Sequence, residues 1–138
     1  MPSDKLTKIT YAFANVNSTT GEVFLSDEYA DVQFAYPGDV ASNGTQLLGN
    51  FNQLYKLKQQ NRNLKTILSV GGWSYRENFK TALATNATRY RFAESSLKLI
   101  ADLGLDGFDI GKLFFPSLFS HQRRASTWLS VFRESISY

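Results

Sequence analysis

An α/β fold built on parallel strands is what three observations predict for this chain. Extended apolar runs and helical patterns alternate in the order strand, helix, strand, helix, strand, the succession of a parallel sheet with crossover helices. The middle run, residues 64–70, reads as a strand buried on both faces and stops at Gly71-Gly72. The composition supports a core, because 138 residues at 43% hydrophobic and 14% aromatic suit one domain.

Residues 8–14 form the first expected strand, within a run that clusters Ile9, Tyr11, Phe13 and Val16. The pattern does not fix which way Tyr11 and Phe13 point, and core packing is the expectation for both. Residues 17–43, rich in Asn, Ser, Thr, Gly, Asp and Pro, read as a long surface excursion. It contains one short apolar piece, Val23-Phe24-Leu25, after the turn at Thr20-Gly21. Residues 46–61 place Leu47, Phe51, Leu54, Tyr55 and Leu57 at helical spacing, and the polar run 58–63 closes that helix. A second helix, residues 88–103, carries Phe92, Leu97, Leu99 and Ile100 and ends at Gly104, after which residues 105–110 start a third strand. Functional groups in such sheets gather at the C-terminal ends of strands, which singles out Asn15, residues 69–73 and Asp109.

Other classes of function are excluded by composition. Zero cysteines leave no disulfide, no thiolate nucleophile and no cysteine zinc site. A single histidine, His121, speaks against a histidine-rich metal site or a histidine triad, so neither metal nor cofactor is expected. No apolar run nears the roughly 20 residues of a spanning helix, and the first residues lack a signal peptide's apolar stretch. The chain as written is therefore expected to be intracellular and off the membrane. Its +3 charge arises wholly after residue 110, since residues 1–110 hold eleven Lys/Arg and eleven Asp/Glu. Four cations in the last 28 residues, without a recognition element, fall short of a nucleic-acid-binding stripe.

The texture changes at residue 111. Residues 111–138 contain four phenylalanines and six serines and lack the polar connection that should follow a strand. Residues 127–136 are a candidate short amphipathic helix, although the plainer reading is a hydrophobic tail with no specified fold. The expected division is a folded region, residues 1–110, and a divergent basic, aromatic tail, residues 111–138.

Two short segments then become informative together. Leu68-Ser69-Val70-Gly71-Gly72-Trp73 ends the second strand, and thirty-three residues after Trp73 comes Asp106-Gly107-Phe108-Asp109-Ile110. With the strand Tyr11-Ala12-Phe13-Ala14-Asn15-Val16 ahead of them, the chain resembles the family-18 glycoside hydrolases, the chitinases, most closely those of fungal type. The resemblance covers roughly residues 5 to 110. It implies an incomplete (β/α)8 TIM-barrel fragment of about three parallel strands and two helices, corresponding to barrel strands two to four. A complete barrel takes roughly 200 to 400 residues, so open sheet edges and self-association are expected.

The resemblance also implies a chemistry, in which a glutamic acid protonates the glycosidic oxygen while the substrate's own 2-acetamido carbonyl attacks the anomeric carbon. That glutamate closes the motif Asp-Gly-x-Asp-x-Asp-x-Glu, whose alternate residues share one face of a strand. Here Asp106, Gly107 and Asp109 match. Gly111 stands in place of the acetamido-orienting aspartate, Lys112 in place of the usual tryptophan, and Leu113 in place of the catalytic glutamate. Loss of a general acid alone costs about two to four orders of magnitude in rate, so the chain is expected to be inactive. Ser69, Gly71 and Gly72 carry over as the barrel-floor motif, with Ser69 expected to hydrogen-bond Asp109, although without the glutamate the plainer reading is strand-end turn chemistry. Trp73 carries over as an aromatic that stacks on a sugar, with a simple rim hydrophobe as the equal alternative, while Asp106 is expected to be a strand-entry or turn residue rather than a catalytic one.

Gly111-Lys112-Leu113 is also what translation into an intron beginning GTAAGT would spell if the aspartate codon were split after its first base. A truncated or mis-spliced chitinase chain is therefore the leading reading. The alternative is a lectin-like fragment that binds chitin or chito-oligosaccharide weakly without cleaving it, and a third is a partner interface on the tail. Three sequons, at Asn17, Asn43 and Asn86, matter only in the secretory pathway, and the chain as written is expected not to use them.

Overall fold

The computed structural model describes residues 5–39 and 47–110. Four strands, β1 (Lys8–Val16), β2 (Val23–Leu25), β3 (Lys65–Val70) and β4 (Gly107–Ile110), form one sheet in the order β2-β1-β3-β4. Strands β1, β3 and β4 run parallel, and β2 folds back antiparallel along the last residues of β1, pairing Ala14 with Leu25 and Val16 with Val23. The sheet is therefore mixed, where three parallel strands were expected. Val23-Phe24-Leu25 is too short to announce a strand and takes its ladder from β1.

Among the described residues three α-helices pack against the sheet. Helix α1 (Gly49–Gln60) links β1 to β3, and α2 (Arg76–Ala82) with α3 (Asn86–Leu103) links β3 to β4. Register places Leu68 and Val70 of β3 beside Tyr11 and Ala14 of β1, and these meet Phe51 and Leu54 of α1, Phe79 of α2 and Phe92 of α3 in one apolar cluster. Each fully buried phenylalanine among them, Phe51, Phe79 and Phe92, contributes roughly 1.5 to 3 kcal/mol. Helix α3 starts with a reciprocal Thr85/Thr88 cap and ends at Gly104 in the left-handed conformation, so both boundaries have a local cause. Register puts Thr10, Ala12, Ile67, Ser69 and Asp109 together on the opposite face of the sheet.

Several sequence expectations are corrected. Helix α2 was not expected, because seven residues with Phe79 and Ala82 as its buried contacts make no periodic signal. Residues 17–39 are not wholly a surface excursion. Val23 is buried and Asp31, in a single π-helical turn at Tyr29–Gln33, is 4% exposed. Asp39 then ties the segment to α1, accepting from the Tyr36 amide at 3.0 Å and from Lys56. Phe13 does not join the core but is 45% exposed, because a register shift between Ala12 and Ala14 takes it out of the strand's alternation. The peptide bond between Ala12 and Phe13 is cis. Residue 46, the sequon at Asn43, and Gly111, Lys112, Leu113, His121 and residues 127–136 lie outside the described residues.

Candidate functional site

The C-terminal ends of β1, β3 and β4 bring together most of the residues that the sequence singled out. Ser69, 3% exposed on β3, is register partner to Asp109 on β4, and its hydroxyl donates to Asp109 Oδ2 at 3.3 Å. The contact implied by the resemblance is present. Beyond β3 the chain turns at Gly71 (φ +106°) and Gly72 (φ +75°), and the Gly71 amide donates to the Ala14 carbonyl at 2.9 Å. Both glycines lie under aromatic rings: a Cβ on Gly71 would stand 2.6 Å from the Phe79 ring, and one on Gly72 would stand 2.9 Å from the Phe13 ring. Only glycine fits either place. Trp73 follows, 78% exposed, at the start of the one-turn 3₁₀ helix Trp73–Tyr75. Asn15 does not face open solvent alone, since its Oδ1 accepts from Asn78 of α2 at 3.1 Å.

Asp106 and Gly107 lie elsewhere. Asp106 precedes β4 at the opposite end of the sheet, where its amide donates to the Thr66 carbonyl at 2.9 Å and its carboxylate accepts from the Thr66 amide at 2.8 Å. Lys58 and Lys65 reach the same carboxylate at 2.6 and 3.3 Å. Burial acts most strongly and raises the Asp106 pKa, but the Lys58, Thr66 and Lys65 hydrogen bonds together outweigh it and hold the group at about 2. This arrangement is a clamp between α1, β3 and β4. Gly107 pairs with Ile67.

A pocket of about 210 Å³ that no sequence signal announced lies over β1, lined by Tyr11, Ala12, Phe13, Ser26, Asp27, Asp31, Ser74 and Tyr75. A relay of hydrogen bonds supports one wall. Tyr36 donates to Asn50 Oδ1 at 2.7 Å, Asn50 Nδ2 donates to the Tyr11 hydroxyl at 2.8 Å, and that hydroxyl donates to Asp31 Oδ1. Burial first, then the bond to Asp31, pushes the Tyr11 hydroxyl up to about 12, against the opposing pull of Asn50. Tyr11 is thus a half-core residue: its ring packs on Phe51 at 4.7 Å while its hydroxyl serves the pocket. On the other wall Ser26 donates to the Phe13 carbonyl at 2.7 Å. No local signal marks Asp31 or Ser26, because their partners lie on other elements.

Chemically, these strand ends offer carboxylate and hydroxyl acceptors beside exposed aromatic rings. Among the described residues no group of three His, Cys, Asp or Glu stands close enough to hold a metal ion, and no helix is long and apolar enough to cross a membrane. Of the sequons, Asn17 is exposed in the β1–β2 connection and Asn86 opens α3.

Known proteins are similar to this chain in sequence and in fold. Residues 1–125 match the family described as Glycosyl hydrolases family 18. Endochitinase 1 of Metarhizium anisopliae is 41% identical over 111 residues, which is 80% of this chain and 26% of that protein. Chitinase 1 of Aphanocladium album is 43% identical over a stretch of the same coverage. Among solved structures, a Bacillus thuringiensis chitinase superposes with a TM-score of 0.77 at 27% identity, covering 98% of this chain and 29% of that one. A Group IV chitinase of Ostrinia furnacalis, solved in complex with allosamidin, superposes with a TM-score of 0.70 at 29% identity, covering 94% of this chain and 32% of that one. The chain thus spans about a quarter of the length of these curated relatives. Its sheet is a partial α/β portion of their TIM-barrel fold, and by sequence match, strand order and the Ser69–Asp109 pair together this chain belongs to glycosyl hydrolase family 18.

Proposed function

We propose that this chain is a chitinase-related portion that binds chito-oligosaccharide weakly and does not hydrolyse it. One observation carries the loss of hydrolysis. The run Asp106-Gly107-Phe108-Asp109-Ile110 continues as Gly111-Lys112-Leu113, with leucine where the family resemblance implies the proton-donating glutamate. Leucine has no proton to give, and glycine at 111 cannot orient an acetamido group. We read those three residues as sequence from a mis-spliced transcript, and genomic DNA without a splice donor at codon 111 would overturn that reading.

Binding is supported by what remains. The Ostrinia furnacalis relative was solved with allosamidin. Trp73 offers an exposed ring face, and Ser69, Gly71 and Gly72 hold the strand ends next to it. Isolated strand edges favour self-association as well: among the described residues no strand pairs with the outer edge of β4, or with β1 before Ala14 on the side away from β3. Sedimentation velocity at rising concentration measures that.

The deciding experiment incubates the full chain with an N-acetylglucosamine tetramer and measures both reducing ends and binding. No release above the blank is expected, together with weak saturable binding that Trp73→Ala lowers about 2- to 10-fold, the worth of one aromatic contact. Release of reducing ends by the purified chain refutes the first half, and absence of binding refutes the second.

A further inference from the structure

Asp31 presents a physical problem that the described residues alone do not solve. A carboxylate only 4% exposed is costly unless it is paired. Among the described residues the side-chain hydrogen bond to its carboxylate comes from a neutral donor, the Tyr11 hydroxyl, and no lysine or arginine forms an ion pair with it. No donor among them reaches Oδ2 either. Asp31 Oδ2 is not among the fully enclosed, unpartnered side-chain atoms of the described residues, so it keeps some open surface, and Asp31 is one of the residues that line the pocket.

The surroundings narrow what could complete it. A second carboxylate, Asp27, lines the same pocket, with Oδ1 accepting from the Ala30 amide at 3.0 Å. The hydroxyls of Ser26 and Ser74 and the rings of Tyr11, Phe13 and Tyr75 make up the walls, and among the described residues no lysine, arginine or histidine lines it. A hard metal ion needs six or more oxygen ligands, and three aromatic walls do not supply them. Aromatic faces suit an organic cation or the C–H face of a sugar. At about 210 Å³ the space is below the roughly 300 Å³ of a small drug-sized site, which limits it to a single ring.

We propose that this pocket takes a primary ammonium carried on a pyranose ring, that is, a glucosamine unit of partly deacetylated chitin, with Asp31 and Asp27 receiving the ammonium. The proposal rests on the chito-oligosaccharide reading above and names the ligand chemistry of that surface. An N-acetylated unit brings a neutral amide and a methyl group to the same place and leaves the Asp31 charge uncompensated. The ammonium supplies both the charge and the donors that Oδ2 lacks.

The test titrates the full chain with a glucosamine tetramer and with its fully N-acetylated counterpart, by calorimetry or NMR. The buffer is held at about pH 6, below the range of an ordinary amine. The deacetylated tetramer is expected to bind at least about 10-fold more tightly, the factor a charge-assisted hydrogen bond supplies. That advantage shrinks with added salt. Asp31→Asn, which keeps an acceptor for Tyr11, and Asp27→Asn at an exposed position should each bring the two ligands toward parity, and the second stands in should the first not fold. Equal affinity, or preference for the acetylated tetramer, overturns this inference and leaves chito-oligosaccharide binding intact. Binding of neither tetramer overturns both, and a preference that survives both substitutions overturns the assignment to this pocket.

Discussion

Gly71→Ala places one methyl group at the tightest point of the candidate site, and its cost can be worked from two separate terms. The first is conformational, because φ is +106° at Gly71, a backbone region that an L side chain occupies at a cost of about 1 to 3 kcal/mol. The second is steric. The new Cβ would lie 2.6 Å from one carbon of the Phe79 ring and 3.0 Å from the next, and that ring is fully buried and packed on Phe92 at 5.9 Å, so it has nowhere to retreat. Overpacking of this kind costs about 1 to 3 kcal/mol. The two together come to about 4 kcal/mol, a large share of the roughly 5 to 15 kcal/mol that holds a domain folded. Urea denaturation followed by far-UV circular dichroism reads the change as a fall in midpoint. Gly38→Ala separates the terms, since Gly38 has φ +88° with nothing within 4 Å of its Cβ and should show the conformational cost alone. Phe79→Leu in the Gly71→Ala background removes the outer ring atoms and should recover part of the loss, giving a less than additive double mutant. Equal destabilisation by Gly71→Ala and Gly38→Ala, or strict additivity with Phe79→Leu, would refute the packing argument.

Further outcomes follow from the same geometry. The Asp106 carboxyl, at about 2 when folded, lies below its ordinary value near 3.8, so its stabilising effect is present above about pH 4 and is lost as pH falls toward 2. Thermal melts of Asp106→Asn should therefore lie below the parent at neutral pH and converge with it near pH 2, and a constant gap across that range would be evidence against the clamp. Tyr11 is raised to about 12, so its contribution holds below about pH 10 and is lost between 10 and 12. Ultraviolet titration should show Asp31→Asn ionising one tyrosine earlier than the parent, and an unchanged curve would contradict the Tyr11–Asp31 bond. Ser95→Ala should cost about 1 to 3 kcal/mol in urea melts, because it strands the buried Val23 amide that donates to Ser95 Oγ at 2.9 Å. A loss under about 0.5 kcal/mol would mean that β2 is not anchored to α3 in this way.

The parallel strands and the two long helices were legible because each carries its cause locally. Residues 65–70 are an apolar run stopped by two glycines, and α3 has a Thr85/Thr88 cap at one end and Gly104 at the other. The Ser69–Asp109 pair was legible in another way, through the family resemblance that the two short motifs carry, which implied a hydrogen bond between them. The separation of Asp106 from Asp109 was not fully legible, because the expected strand began at residue 105 whereas β4 begins at Gly107, after Asp106.

What the chain by itself could not announce is what depends on partners far away in sequence. Strand β2 exists because Val16 lies beside it, and its Val23 amide is completed by Ser95, 72 residues on. Phe13 leaves the core because pairing with β3 slips by one residue at that point, which no alternation within β1 reveals. Asp31 looks like any acid in a polar loop until Tyr11 and Asn50 fold around it from β1 and α1. The sequence therefore determined the elements whose hydrogen bonds and apolar faces close within themselves, together with a family signature. The tertiary structure decided burial, register and the pocket, because these arise from contacts between elements whose geometry no single segment contains.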